Sequence, residues 1–247
     1  MSAMLAVDNL AKHYGAIRAV DGVSFAVEPG EIFGVIGPNG SGKTTMFNSV
    51  LGQIRPDAGR VTFDGDDITG AGPLALSRRG IGRTFQSLQV FGGLSVRDNV
   101  IAAAQEHRGT LLARLFAAPD AGLGRKADET LAFFELAPHA AKLAGGLSYG
   151  QQKLLDIAMA FMADPKLMML DEPAAGVNPR LIDTIRDLLV RLNRERGTTF
   201  VVIEHNMDFV MALCRRILVL AEGKVLALGR PEEIRANPAV LEAYLGA

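Results

Sequence analysis

The chain has 247 residues, 49% hydrophobic and 21% charged, a globular balance with length enough to bury the core of one or two domains. A formal net charge of −1 gives bulk electrostatics no reason to favour nucleic acid, and a single cysteine excludes an intrachain disulfide and fits a reducing compartment. No apolar run approaches the ~18 residues of a membrane span, and the N-terminus lacks the charged-then-apolar pattern of a signal peptide, so the chain reads as soluble, with attachment to a membrane protein left open.

In chain order, Leu5–Leu10 and Val20–Val27 read as strands, with turns at His13–Gly15 and Glu28–Gly30. Glu31–Ile36 is a short apolar run typical of a buried strand, and Met46–Leu51 has helical spacing and stops at Gly52. Arg60–Phe63 is a strand closed by the turn Asp64-Gly65-Asp66, and Ile81–Phe85 is another. From Ser87 to about Ala163 the pattern turns helical, over Val96–Gln105, Arg125–Leu136 and Gln151–Ala163. Between the first two, Glu106–Gly124 carries Leu111, Leu112, Leu115 and Phe116 at helical spacing, which reads as core or else as a contact with another protein. Strands return at Leu167–Leu170, Thr199–Ile203 and Ile217–Leu220, with a helix at Arg180–Arg196. Cys214, beside Met211-Ala212-Leu213, reads as a core filler, and Pro231–Ala247 reads as two short helices. Strand–helix alternation predicts an α/β fold with a mostly parallel sheet, and a helical block inserted between its two halves.

The most informative stretch lies between the Glu31–Ile36 strand and the helix after it. Gly37, Gly42, Lys43 and Thr44 fit G-x-x-x-x-G-K-[ST], the phosphate-binding loop. Glycines let the backbone turn its N–H groups onto a phosphate, and a helix starting near Gly42 adds a partial positive charge. Lys43 supplies a cation to the β- and γ-phosphates, and Thr44 offers a hydroxyl to Mg²⁺. With 27 glycines in 247 residues, a glycine-rich turn without a ligand is the bland alternative, which the flanking strand and helix disfavour. A second pattern is Leu167–Leu170 ending in Asp171 and Glu172. In a phosphate-loop protein, Asp171 would complete the Mg²⁺ sphere and Glu172 would stand where a general base for water belongs. A third is Leu147-Ser148-Tyr149-Gly150-Gln151 before a helix, where Ser148 is a good N-cap. It reads either as an ordinary capped helix or as a site for the phosphates of a nucleotide held by another subunit. His13, His107 and His139 have no ligand spacing and receive no role.

Together these residues resemble the ATP-binding subunits of ABC transporters over nearly the whole chain. The resemblance implies a Walker A motif at Gly37–Thr44, a Walker B motif at Leu167–Asp171 and a signature at Leu147–Gln151. It implies a Q-loop at Thr84-Phe85-Gln86, a D-loop at Ala174–Asn178 and a switch histidine at His205. Tyr149 stands where glycine is usual in the signature, and Asn178 where aspartate is usual in the D-loop. Both departures look like the subfamily serving branched-chain amino acid uptake, as do Arg83-Thr84-Phe85-Gln86 and the tail from Pro231 to Gly246.

The resemblance implies a RecA-like P-loop core with an N-terminal antiparallel β-region, in one ABC ATPase domain. Residues 1–86 and 164–230 would form the core with the β-region, 87–163 the helical subdomain and 231–247 a helical tail. It implies ATP binding by Tyr14 (stacked on adenine), Asn39, Gly40, Ser41, Gly42, Lys43, Thr44 and Thr45, with Ser148 and Gly150 supplied by the opposite subunit. Mg²⁺ would be held by Thr44, Gln86 and Asp171, and Glu172, His205 and Gln86 would be the catalytic set. The implied partners are transmembrane permease subunits, a second ABC ATPase subunit (in a homodimer or heterodimer) and, indirectly, a periplasmic binding protein, with no nucleic acid. The implied location is the cytoplasmic face of the inner membrane, peripherally. ATPases for urea or short-amide uptake and for lipopolysaccharide export are the near alternatives, and non-transport ABC ATPases the distant one.

Overall fold

A computed structural model describes residues 3–84, 88–104 and 121–245. Phe85, Gln86 and the Leu111–Phe116 stripe fall outside these residues. The chain divides into two compact units, Met1–Arg83 with Pro165–Ala247, and Thr84–Asp164.

In the first unit, β1 (Leu5–Tyr14) and β2 (Ile17–Val27) form an antiparallel hairpin. Both strands run past the ends expected at Leu10 and Val20. Cross-strand pairs such as His13 with Arg18 and Tyr14 with Ile17 give ladder partners to residues that look like a turn by composition alone. Next come β3 (Ile32–Ile36) and helix α1 (Lys43–Val50), then β4 (Ala58–Phe63) and the two-residue β5 (Asp66–Asp67). The first sheet has the order β2-β1-β4-β5 among the described residues. After the short helix α2 (Pro73–Arg78) and β6 (Ile81–Arg83), the unit resumes with β7 (Leu167–Asp171).

The second sheet is completed by β8 (Thr199–Ile203), β9 (Arg216–Ala221) and β10 (Lys224–Gly229), in the order β10-β9-β3-β8-β7-β6. Its paired neighbours are parallel except for β9 with β10. Strands β3, β7 and β8 are buried at every residue, which is why they read as unbroken apolar runs rather than as alternating ones. The β9–β10 hairpin was not expected. Its turn holds Glu222 at φ 49° and Gly223 at φ 76°, the paired positive values that a two-residue hairpin turn needs, so Glu-Gly was the sequence signal. The phenyl rings of Phe25 and Phe33 stack at 5.4 Å and join the core of the two sheets.

Helix α6 (Pro179–Arg196) lies close to its expected span and ends at Gly197 in the left-handed conformation. The unexpected helix α7 (Met207–Leu213) is capped by Asn206, whose side chain accepts from the Phe209 N–H at 3.1 Å. Just after α7, the Cys214 thiol is buried and its pKa is pushed up by that burial, in keeping with a core filler. A Cβ built on Gly34 would meet Val210 Cγ1 at 2.8 Å and Cys214 Sγ at 3.0 Å, so β3 and α7 approach only because position 34 lacks a side chain. Gly34→Ala is therefore expected to destabilise the fold by about 1–3 kcal/mol through overpacking, read as a lower denaturant midpoint. The unit ends with α8 (Pro231–Arg235) and α9 (Pro238–Leu245), the two short helices expected there.

The second unit contains α3 (Val96–Ala104), α4 (Ala121–Phe133) and α5 (Tyr149–Phe161). Helix α4 stops before the expected Leu136: Glu135 takes a left-handed φ of 58°, and a 3₁₀ turn begins at Ala137. Helix α5 starts before the expected Gln151 because Ser148 caps it. The Arg97 guanidinium joins α3 to α4 through Asp128, with N–O distances of 2.6 and 3.1 Å.

Candidate functional site

The buried strand β3 delivers the loop Gly37–Gly42 to the start of α1. Gly42 is the N-cap, at φ 97°, and a Cβ there would lie 2.1 Å from the Ala19 carbonyl oxygen. Without a side-chain cap, the first N–H groups of α1 remain available to an anion, with the helix dipole behind them. Lys43 opens the helix, and its ammonium folds back onto the carbonyl oxygens of Gly37 at 2.7 Å and Pro38 at 2.9 Å. Burial lowers the Lys43 pKa, while the negative charges of Glu172 and Asp171 support its protonated form. Asn39, Gly40 and Thr44 are exposed, Thr45 is half-buried, and the Ser41 hydroxyl is buried with no hydrogen-bond partner among the described residues.

Asp171 ends β7 and Glu172 follows it in the left-handed conformation at φ 50°, uncommon for a residue with a side chain. That turn is fastened by the Glu172 N–H donating to the Ile203 carbonyl at 2.9 Å, at the end of the neighbouring β8. His205, just beyond β8, places Nδ1 3.5 Å from Glu172 Oε1. Glu204 supports both loops from below and has no solvent exposure. Its carboxylate accepts from the N–H groups of Ala174 at 2.6 Å, His205 at 3.1 Å and Asn206 at 3.3 Å. Burial raises the Glu204 pKa against the lowering effect of these donors. Arg83, on β6, lies in the field of Asp171, which offsets the lowering of its pKa by burial. Sequence reasoning gave neither Glu204 nor Arg83 a role at the site.

The family model for the ABC transporter matches residues 20–175, and one for the branched-chain amino acid ATP-binding cassette transporter matches residues 224–247. The chain is 40% identical to the high-affinity branched-chain amino acid transport ATP-binding protein BraF of Pseudomonas aeruginosa, with 98% of each chain covered. Its fold superposes on the crystal structure of the ADP conformation of an ATP-binding cassette of an ABC transporter with a TM-score of 0.90, 35% identity and 100% of each chain covered. A dimeric, post-hydrolysis ATP-binding cassette bound to ADP and Pi matches at a TM-score of 0.79 and 28% identity, over 92% of this chain and 99% of that one. The chain belongs to the ABC transporter ATP-binding family. It is an ATP-binding ATPase with the RecA-like P-loop fold of that family. No described helix is long and apolar enough to cross a membrane.

Three other motif positions of this ABC protein have distinct local geometries. At the signature, Ser148 caps α5 in a reciprocal box: Ser148 Oγ accepts from the Gln151 N–H at 3.3 Å, and Gln151 Oε1 accepts from the Ser148 N–H at 3.0 Å. Tyr149 is 48% exposed beside it, and Gly150 is half-buried. In the D-loop, Asn178 is the N-cap of α6, accepting from the Leu181 N–H at 3.0 Å, so its side chain has a local task in this chain. At the tip of the β1–β2 hairpin the Tyr14 ring is 48% exposed, with the Lys12 ammonium 5.6 Å from its centroid and Lys12 anchored to Asp57 at 2.8 Å. Sequence reasoning also passed over Asp156 on α5, whose buried carboxylate accepts from the Gln89 N–H at 3.1 Å. Its pKa is raised by burial.

Proposed function

We propose that this ABC ATPase powers the import of branched-chain amino acids, as a peripheral subunit on the cytoplasmic face of the inner membrane. The observation that carries the substrate class is the full-length likeness to BraF, together with the C-terminal match over residues 224–247. The test is uptake of labelled leucine, isoleucine and valine in cells lacking the gene: loss of all three, restored by the gene, is expected. Normal uptake of these with loss of urea or amide uptake would move the protein to a neighbouring transport system.

In this reading Met1–Arg83 with Pro165–Ala247 is the RecA-like core with its β-region, and Thr84–Asp164 is the helical subdomain of one ABC ATPase domain. The uncapped start of α1, with Gly40, Ser41, Gly42, Thr44, Thr45 and Asn39 around it, receives the ATP phosphates, and Lys43 neutralises the β- and γ-phosphates. Tyr14 offers its exposed face to adenine. Tyr14→Ala is expected to weaken ATP binding by about 1–3 kcal/mol, and GTP binding equally, because every base has a π-face; titration with both nucleotides checks it. A sharp change in nucleotide choice would mean that Tyr14 reads base edges.

The oxygens of Thr44, Asp171 and Gln86 suit Mg²⁺, which takes one or two protein oxygens alongside substrate phosphates and water. Thr44 is exposed on the first turn of α1 and Asp171 stands at the end of its strand, and among the described residues no group of three His, Cys, Asp or Glu side chains forms an all-protein cage. When bound, Mg²⁺ supplies charge neutralisation on the phosphates. Glu172 accepts the proton of the attacking water, and His205, whose Nδ1 lies 3.5 Å from the Glu172 carboxylate, donates to the γ-phosphate. Glu204 fixes the loops that carry them.

Two ATPase subunits, identical or related, pair so that Ser148 and Gly150 of each cover the ATP of the other. Support for pairing comes from the likeness to the dimeric cassette and from the exposure of the capped signature turn. Transmembrane permease subunits dock beside residues 86–93, where Phe91, Leu94 and Leu143 are 56, 41 and 60% exposed. Phe91 is fastened there by buried Asn99, which accepts from the Phe91 N–H at 2.8 Å and donates to the carbonyls of Phe91 at 3.0 Å and Ser95 at 2.9 Å. A periplasmic binding protein would deliver the amino acid to the permease, and this chain would have no direct contact with it.

A further inference from the structure

We propose that His139 is a positioning residue for the signature turn, acting through the side-chain amide of Gln151. The proposal rests on the reading of Ser148 as a phosphate-covering group. Gln151 spans two neighbours. Its Oε1 accepts from the Ser148 N–H at 3.0 Å, and its Nε2 lies 2.8 Å from His139 Nε2. A backbone N–H only donates, so the amide oxygen has to face Ser148, and the amide NH₂ then faces the imidazole. His139 Nε2 is therefore the acceptor, and the ring is neutral with its proton on Nδ1.

That tautomer has a cost that identifies the purpose of the ring. Nδ1 is buried and has no hydrogen-bond partner among the described residues, so the proton it carries meets no acceptor among them. An apolar side chain would fill the position without that cost, and what it would lack is the acceptor for Gln151. Without that acceptor the amide is free to rotate by a half-turn, which would set NH₂ against the Ser148 N–H and open the capping box. The turn that carries Ser148 and Gly150 would then lose the backbone restraint that the reciprocal box supplies.

The ring is held where it can do this. His139 closes the 3₁₀ turn Ala137–His139, with its own N–H donating to the Leu136 carbonyl at 2.9 Å. The next residues fasten that turn to the first turn of α3: the Ala140 carbonyl accepts from the Arg97 N–H at 3.0 Å, and the Lys142 carbonyl from the Val96 N–H at 2.9 Å. His139 thus joins the signature turn to the segment that begins beside exposed Leu94.

The test compares His139→Leu with His139→Gln in the full-length ATPase, with Ser148→Arg as a control. The Gln side chain places an amide oxygen about where Nε2 stands, so it keeps the acceptor. His139→Leu is expected to lower kcat about five- to tenfold, the value of one hydrogen bond, with nucleotide affinity of the monomer unchanged. His139→Gln is expected to restore the parent kcat. Equal kcat for the Leu and Gln variants would overturn the proposal, whether both are high or both low. So would a loss of monomer nucleotide affinity that matches the loss of kcat. If Ser148→Arg is inactive while His139→Leu turns over normally, the positioning role alone fails. If Ser148→Arg itself hydrolyses ATP at the parent rate, the signature reading fails and takes this proposal with it.

Discussion

Glu172→Gln is expected to retain ATP binding and to lose hydrolysis by roughly 10²–10⁴-fold, the usual contribution of a general base. The amide has the size of the carboxylate but cannot take a proton from water. The backbone frame survives the substitution: the left-handed turn at φ 50° is fastened by the Glu172 N–H to the Ile203 carbonyl, a bond that the change of side chain leaves alone. Binding survives because Lys43 keeps its hold on the Gly37 and Pro38 carbonyls, and because Asp171 remains to support its protonated form. Single-turnover hydrolysis, measured alongside nucleotide binding, separates the two effects. Near-normal single turnover by the Gln variant would remove Glu172 from the base role and leave the water-activating group to be found elsewhere.

The parts of the site that sequence disclosed are those whose residues sit side by side in the chain. Gly42, Lys43 and Thr44 form one turn of one element, and Asp171 and Glu172 end one strand, so local pattern carries them. The supporting groups are different in kind. Glu204 meets Ala174 across 30 positions, and His139 meets Gln151 across 12. Arg83 meets the field of Asp171 from a neighbouring strand. No local spacing encodes such pairs; strand order and turn geometry create them. His139 shows the consequence most plainly, since the absence of ligand spacing says nothing about a ring used as a hydrogen-bond acceptor. The fold followed the same division. Strands buried on both faces were legible as apolar runs, whereas the outer ends of β1 and β2 interrupt the apolar pattern with Lys12, His13 and Arg18 and exist because each supplies the other's ladder. The edge strand β10 is half-exposed, and only its Glu222-Gly223 turn marked it.

Ser148→Arg is expected to leave ATP binding by the isolated subunit intact while abolishing hydrolysis. The capping box spends the Ser148 hydroxyl on one N–H of α5, yet the residue remains exposed at the mouth of the turn, next to exposed Tyr149. An arginine there removes the cap and, in the proposed dimer, projects bulk into the space for the opposing γ-phosphate, which would keep the nucleotide sandwich from closing. In the proposed site the phosphates of the subunit's own ATP are met by the loop Gly37–Gly42 and Lys43, whose residues the substitution leaves unchanged. Mixing Ser148→Arg subunits with Lys43→Ala subunits tests the assignment across the interface. Each mutant alone is expected to be inactive. A mixed dimer keeps one intact composite site, formed by the P-loop of the first and the signature of the second, so partial hydrolysis should return once cross-linking confirms that mixed dimers have formed. Loss of ATP binding by monomeric Ser148→Arg would place the serine in its own chain's nucleotide site and end the trans assignment.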